Sequence, residues 1–384
     1  AAANTDASRV AVHVLHQHDG VRCDFSTEEL LMPFGLDGRL FDVPFVRQTI
    51  ANTAKAVQAA AANAQPVTHL GGGRAAGEKV ASNGRILGPD GKVALFRMSS
   101  WKIEPAILAR LSESARKQGY VLSPERPDLA RAAPEGVIDP MLKMISFWNG
   151  DQPIGCLSYY AVHPQSYFGK GDVTAEFVGL ARAEQERALD DLPLVHFNGA
   201  GGNVAAGKYN DGTPETRKVL TSRMADGLRR AWEATRKIPL SAGDVQWRVH
   251  GVQLPPAEHL DAESLRKTLA DETADDNSRF FAARRLAFLA RRQAKQATEL
   301  SCLRLGNAYV LHMPGELFVE YQLAAQKLRP DDTVCMAAYC DYGAGYIGTE
   351  IAYSQGGYEV QPTSSSTAPE VEAVLMEGIR ALLK

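Results

Sequence analysis

Short apolar runs interleaved with longer amphipathic stretches mark this chain as one of alternating strands and helices. The first run, Val10 to Leu15 (VAVHVL), reads as a buried strand. Apolar spacing at Val46, Ile50, Ala54 and Val57 predicts a helix from Pro44 to Asn63, which leads into a glycine-rich stretch from Gly71 to Gly77. Leu95 to Met98 reads as a short strand. Met141 to Val162 reads as a hairpin that turns at Asn149-Gly150-Asp151, a combination suited to a tight turn. Helical spacing returns over Thr174 to Leu189 and over about Pro214 to Arg236. Between them lie a strand, Leu194 to Phe197, and a loop from Asn198 to Pro214 dense in glycine and asparagine. From Ala262 to Thr298 the chain is strongly charged, with Leu265, Leu269, Phe280, Leu286 and Leu289 at helical spacing, which predicts one or two structural helices with a solvated face. Strands near Leu300 to Leu305, Ala308 to Met313 and Val334 to Ala338, and helices from Glu316 to Leu328 and Pro369 to Leu383, complete the pattern. The expected fold class is α/β, with a mixed sheet flanked by helices.

Composition narrows the function without naming it. An apolar fraction of 45% and a charged fraction of 23% support a sizeable core and exclude extensive disorder. The net charge of −3 offers no field to recruit nucleic acid or an anionic membrane surface, so no nucleic-acid partner is expected. No apolar run reaches the roughly 18 to 20 residues that span a bilayer, and the opening AAANTDASRV lacks the basic and apolar regions of a signal peptide. The five cysteines, Cys23, Cys156, Cys302, Cys335 and Cys340, form no CxxC pair; they read as small buried apolar residues, with Cys335 and Cys340 the pair closest in sequence.

Five segments carry residue types that do chemistry. In Leu15-His16-Gln17-His18-Asp19-Gly20 two histidines at period-two spacing end the first apolar run, which puts both on one side of an extended backbone. Imidazole nitrogen suits zinc, although an HxH is also a common pair of polar loop residues. Tyr160-Ala161-Val162-His163-Pro164 again ends an apolar strand in histidine, and the proline turns the chain away from the sheet. In Met313-Pro314-Gly315-Glu316 a carboxylate is expected in the first turn of a helix, where the dipole favours its ionised form. The loop from Tyr342-Gly343-Ala344-Gly345-Tyr346 through Tyr353 to Gly356-Gly357-Tyr358 places aromatic rings among glycines, as packing groups, substrate walls or ligands. Asn198 to Asp211 follows a strand as a functional loop does and could cradle a phosphate through backbone amides, but it has neither the Walker spacing nor the full dinucleotide fingerprint, which argues against nucleotide binding.

Taken in order, these segments resemble the catalytic domain of neutral, or alkaline non-lysosomal, ceramidases. The matching residues are His16 and His18, Ala161 to Pro164, Gly202-Asn203-Val204, Pro314 to Glu316, and Tyr346 with Tyr358, and they cover residues from about 10 to 360. The resemblance implies one large ceramidase-like domain over residues 1–384 with a helical insertion near 258–298. It implies one zinc ion per chain, held by His16, His163, Glu316 and Tyr346, and hydrolysis of an amide by a zinc-activated water. His18 is then the proton-transfer group and Tyr358 the donor to the oxyanion. Arg85, in Ser82-Asn83-Gly84-Arg85, is the nearest candidate for the family's active-site arginine, and Gly202, Asn203 and Ala205 line the substrate pocket.

Three departures qualify the resemblance. Ala205 stands where the family's Gly-Asp-Val-Ser-Pro version of the loop has a serine in the active site. The chain leaves no room after Tyr358 for the C-terminal β-domain of ceramidases that act at membranes, and it begins just before the first motif, where the family has additional strands. The expected substrate is therefore an N-acyl, lipid-like compound smaller or more soluble than ceramide. A zinc esterase or lactonase, and a non-catalytic lipid- or carbohydrate-binding protein of the same fold, are the alternatives. Location is left open, with the resemblance leaning to a secreted or periplasmic protein because family analogues are commonly exported; oligomeric state is open.

Overall fold

Strand-forming segments that alternate with helices have to bury one face on the helices and the other on something apolar, and here that something is a second sheet. The computed structural model describes residues 3–18, 20–168, 172–340 and 344–384. The first sheet contains His69–Ala76 (β1), Met141–Asn149 (β2), Gln152–Tyr160 (β3), Leu194–Asn198 (β4) and Arg236–Pro239 (β5), in the order β5-β1-β2-β3-β4. The second contains Val245–Val252 (β6), Thr298–Leu305 (β7), Ala308–Pro314 (β8) and Thr333–Cys340 (β9), in chain order. Both are mixed: the β3–β4 and β8–β9 pairs are parallel and the other pairs antiparallel. The sheets share an apolar layer that includes Leu70, Ile145, Tyr159, Val310, Cys335 and Ala337.

Helices cover the outer faces. Early in the chain come Phe25–Leu31 (α1) and Val43–Ala62 (α2), followed by Glu176–Ala188 (α3) and Pro214–Glu233 (α4). Leu142, Met144 and Cys156 of the first sheet pack with Phe177 of α3 and with Leu220, Met224 and Leu228 of α4. Ala262–Ala270 (α5) and Asp276–Gln293 (α6) are the helices expected in the charged stretch. They bury Leu265, Leu269, Phe280 and Leu286 against Leu31 and Leu36, which forms a satellite core. Val319–Leu328 (α7) and Val371–Leu382 (α8) close the second sheet, where Tyr321, Leu375 and Ile379 meet Leu300, Leu311 and Met336. The α/β class is thus observed, with two mixed sheets back to back between helix layers.

Two sequence expectations change. Val10 to Leu15 is not a buried strand: only His13 forms a bridge, with Cys340, while Val10, Val12 and Val14 are 56%, 69% and 53% exposed. The glycine-rich stretch is the interior strand β1, second in the order of the first sheet. A Cβ on Gly73 would lie 2.0 Å from the Ala231 carbonyl oxygen, so its glycine lets α4 pack closely on the sheet. Glu316 is not in a helix. Gly315, at φ +64°, turns the chain so that Glu316–Leu317 pairs in parallel with Tyr346–Ile347, and the helix starts only at Val319. The cysteines behave as expected: among the described residues none is in a disulfide, and all but Cys23 are buried. Burial pushes the Cys156, Cys302 and Cys335 thiols up to about 12, which leaves them protonated at neutral pH.

Candidate metal centre

The end of β3 delivers His163. Its backbone N–H donates to the Val204 carbonyl at 2.8 Å, and its ring Nδ1 faces the Gly201 carbonyl oxygen at 2.9 Å. A carbonyl only accepts, so Nδ1 carries the ring proton. Burial first, and the charge of His16 second, push His163 down to about 4, so near neutral pH the ring is neutral and Nε2 presents a lone pair. The loop beyond His163 is tied down by Glu176, whose carboxylate accepts from the Ser166 amide at 2.9 Å and the Ser166 hydroxyl at 2.5 Å.

Glu316 is positioned from both sides. Its register partner is Tyr346, and its N–H donates to the Gly345 carbonyl at 2.9 Å. The Gly202 N–H donates to the Leu317 carbonyl at 2.9 Å, and a Cβ on Gly202 would lie 2.3 Å from the Glu316 carbonyl oxygen. Asn203 accepts from the Val319 N–H at 2.9 Å, which caps α7, and donates to Glu320 at 2.9 Å. Gly202 and Asn203 therefore build the site from behind: the Asn203 amide is engaged within the protein. Ala205, half-buried, pairs with Ser82. A buried network reinforces the loop: Asp139 accepts from Lys143, Gln322 and Gln326 at 2.7, 2.6 and 2.7 Å, and Gln322 accepts from the Ala200 N–H at 3.0 Å.

His16 arrives on the N-terminal segment in a left-handed conformation, φ +56°. Its Nε2 lies 3.1 Å from His163 Nε2 and 2.9 Å from Glu316 Oε2, and His163 Nε2 is 3.7 Å from that same oxygen. Three donor atoms thus converge on one point. Donors bound at about 2.0 to 2.1 Å to one tetrahedral ion lie about 3.3 Å apart, within the observed spread. His18 Nδ1 is buried without a hydrogen-bond partner, the condition of a ligand or proton-transfer atom that the protein alone does not satisfy. Among the described residues His16, His18 and His163 form a group whose ligand atoms all lie within 4.8 Å of one another.

The electrostatics suit a cation. Burial pushes the Glu316 carboxylate up, but the charges of His16 and His163 and hydrogen bonds from His16 and Tyr346 outweigh it, and it ends below the ordinary carboxylate value. Burial, then the Glu316 charge, hold the Tyr346 phenol well above its ordinary value. Burial, with the charges of His163 and His16, keeps His18 well below the ordinary imidazole value.

The remaining expected residues sit behind this centre. Tyr358 packs edge-on against Tyr346, with ring centroids 5.7 Å apart. Arg85 is almost wholly buried and engaged: it pairs with Glu359 at 3.0 Å and donates to the Ala352 carbonyl at 3.2 Å and to Gln355 at 3.3 Å. Structure thus brings together His16, His18, His163, Glu316, Tyr346 and Tyr358, and it holds Arg85 in an ion pair beside Tyr358. Asp19, Tyr342 and Gly343 lie outside the described residues.

Sequence reading missed Tyr339. It appears as one more apolar position in a buried strand, yet it has φ +61°, a conformation that costs a non-glycine residue of order 1–3 kcal/mol, and its ring stacks on His16. No local sequence signal reports a backbone angle of this kind.

No protein-family model matches the chain, and no curated protein matches it. Solved structures do. The chain is similar to a ceramidase complexed with C2, with a TM-score of 0.55 and 15% identity over 86% of this chain and 56% of that one. It is similar also to the neutral ceramidase from Pseudomonas aeruginosa, with a TM-score of 0.52 and 16% identity over 86% of this chain and 54% of that one. The chain spans a little over half the length of these structures, and at such identity the likeness establishes a ceramidase-like fold.

Proposed function

We propose that this chain is a zinc-dependent hydrolase that cleaves the amide bond of an N-acyl, lipid-like compound smaller or more soluble than ceramide, using water as the attacking group. The observation that carries the reading is the convergence of His16 Nε2, His163 Nε2 and Glu316 Oε2 within 2.9 to 3.7 Å of one another. The ceramidase-like fold supports it, because the two similar structures described above are ceramidases.

Tyr346, hydrogen-bonded to Glu316, completes a four-residue ligand set with His16, His163 and Glu316. When bound, zinc acidifies water to a pKa of about 7 and polarises a carbonyl. His18, held neutral by burial and with Nδ1 unsatisfied, accepts the proton of the attacking water and returns it to the leaving nitrogen, a contribution typically of about 10² to 10⁴ in rate. Tyr358, alongside Tyr346, donates to the developing oxyanion. Arg85 serves from behind by pairing with Glu359, the residue after Tyr358, and so holds that segment in place. The backbone of Gly202 to Ala205 forms the wall on which the acyl group rests.

Elemental analysis of the purified protein, with paired amide and ester analogues of N-acyl substrates, tests the reading. About one zinc per chain, lost in His16→Ala and Glu316→Ala, together with amide cleavage, is the expected result. Cleavage of esters alone would remove the amide assignment and leave an esterase or lactonase. A folded protein that takes up no zinc would remove the hydrolase reading altogether.

A further inference from the structure

Beyond the proposed ligand set, one aromatic residue stands at the join between the N-terminal segment and the second sheet. Tyr339 is the next-to-last residue of β9. Its N–H donates to the Gly315 carbonyl at 2.9 Å, and the register between β8 and β9 slips between His312 and Pro314. The slip accompanies the left-handed backbone at Tyr339, φ +61°. The ring stacks on His16 with centroids 4.7 Å apart and planes 16° apart, and it meets His163 edge-on at 6.4 Å and 82°.

The same residue receives the N-terminal segment. Val14 N–H points to the Tyr339 carbonyl at 3.4 Å, and His13 bridges the adjacent Cys340. The segment is thus registered on the end of β9 in the place that lays His16 over the Tyr339 ring. The hydroxyl is buried without a hydrogen-bond partner and lies 3.3 Å from where a Cβ on Gly201 would stand. Gly201 is also the residue whose carbonyl orients His163. A strained backbone and an unsatisfied hydroxyl are both unfavourable for stability, which is the pattern of a residue retained for a site.

We propose that Tyr339 is a positioning residue of the metal centre: its ring is the plate that fixes the plane of His16, so that Nε2 converges with His163 and Glu316. The ring does this, and the hydroxyl is not required for it. The inference rests on the zinc reading given above.

The test uses the full chain as wild type, Tyr339→Phe, Tyr339→Leu and His16→Ala, with the zinc dissociation constant measured by competition with a chromogenic chelator. Circular dichroism and cooperative melting of the metal-free proteins establish folding. Tyr339→Phe keeps the ring and is expected within about threefold of wild type, whereas Tyr339→Leu weakens zinc by roughly 10- to 100-fold, the range for residues that orient metal ligands. Should Tyr339→Leu not fold, Tyr339→Met, which fills the space without a ring plane, carries the same expectation. A folded Leu or Met variant that binds zinc as tightly as wild type overturns the proposal, as does a Phe variant as weak as Leu, which would transfer the role to the hydroxyl. A wild type that binds no zinc more tightly than His16→Ala sinks the metal reading itself, and Tyr339 with it.

Discussion

The donors of the candidate centre come from two unlike regions. His163, Glu316 and Tyr346 are seated in the packed body: a strand end, a parallel two-strand pairing and a capped helix start fix their backbones, and all three lie in buried surroundings. His16 and His18 come on an irregular segment whose contacts include one β-bridge, a long Val14 hydrogen bond, and a bond from the Asn198 side chain to the Leu15 carbonyl. Its valines face outward. The packed body presents half a site already organised, and the N-terminal segment supplies the other half. A metal bound between them adds its binding energy to the docking of that segment, so metal affinity and local folding are linked.

The largest effect expected on that comparison is on turnover. His163→Ala and His16→Ala should each lower kcat/KM at least about 10³-fold on a substrate the wild type hydrolyses, because each removes one of the proposed zinc ligands. Stability separates them. Metal-free His163→Ala should lose about 2–4 kcal/mol in denaturant unfolding, through a cavity and an unpaired Gly201 carbonyl, while His16→Ala stays within about 1 kcal/mol. Equal losses would mean that the two regions are not different in kind.

Next in size is Arg85→Ala. Glu359 is 1% exposed and its Oε1 already lacks a partner, so removing the guanidinium strands a buried charge at a cost of about 3–5 kcal/mol. Urea unfolding measures it; a loss below about 1 kcal/mol would show that Arg85 does not brace the Tyr358 side of the body.

Acid comes third. Burial pushes His13 and His312 down to about 4 and His196 to about 3. The unfolded chain binds these protons near pH 6.5 and the folded chain only at about 4 or below, so the unfolded state holds more protons in between. Stability is therefore full above pH 6.5 and falls as pH drops from 6.5 towards 4, by on the order of 10 °C in Tm between pH 7 and 4.5. A flat melting profile over that range would place these rings in contact with solvent.

Chelation should then act on one region alone. Removing bound metal is expected to speed amide hydrogen exchange by about tenfold at Val14 to His18 and to leave β8 and β9 unchanged. Equal changes in both would erase the distinction. The smallest effect is that of Asn203→Ala, which removes the cap on Val319 and should cost about 1–2 kcal/mol while zinc affinity falls only a few-fold.

Much of this was legible along the chain. The periodicity of Met141 to Val162 with its Asn-Gly turn became β2 and β3, and the charged stretch after residue 258 became α5 and α6. Other segments read wrongly for identifiable reasons. Gly71 to Gly77 shows no strand pattern along the chain, but Gly73 lets the Ala231 carbonyl of α4 pack against β1, a demand made by a residue more than 150 positions later. Val10 to Leu15 has the composition of a buried strand, yet the described residues offer it only an edge contact, so its valines stay exposed.

By itself the sequence determined which residue types end each apolar run, and so which histidines and which carboxylate are available for a site. Spacing is a local property and is written in the chain. Tertiary structure alone decided that these ends meet, that Glu316 faces His16 from a short strand and not a helix turn, that Asn203 and Arg85 are engaged from within, and that Tyr339 lies flat against His16. Each of those depends on contacts between segments 100 or more residues apart and on backbone angles forced by packing, neither of which a linear pattern encodes.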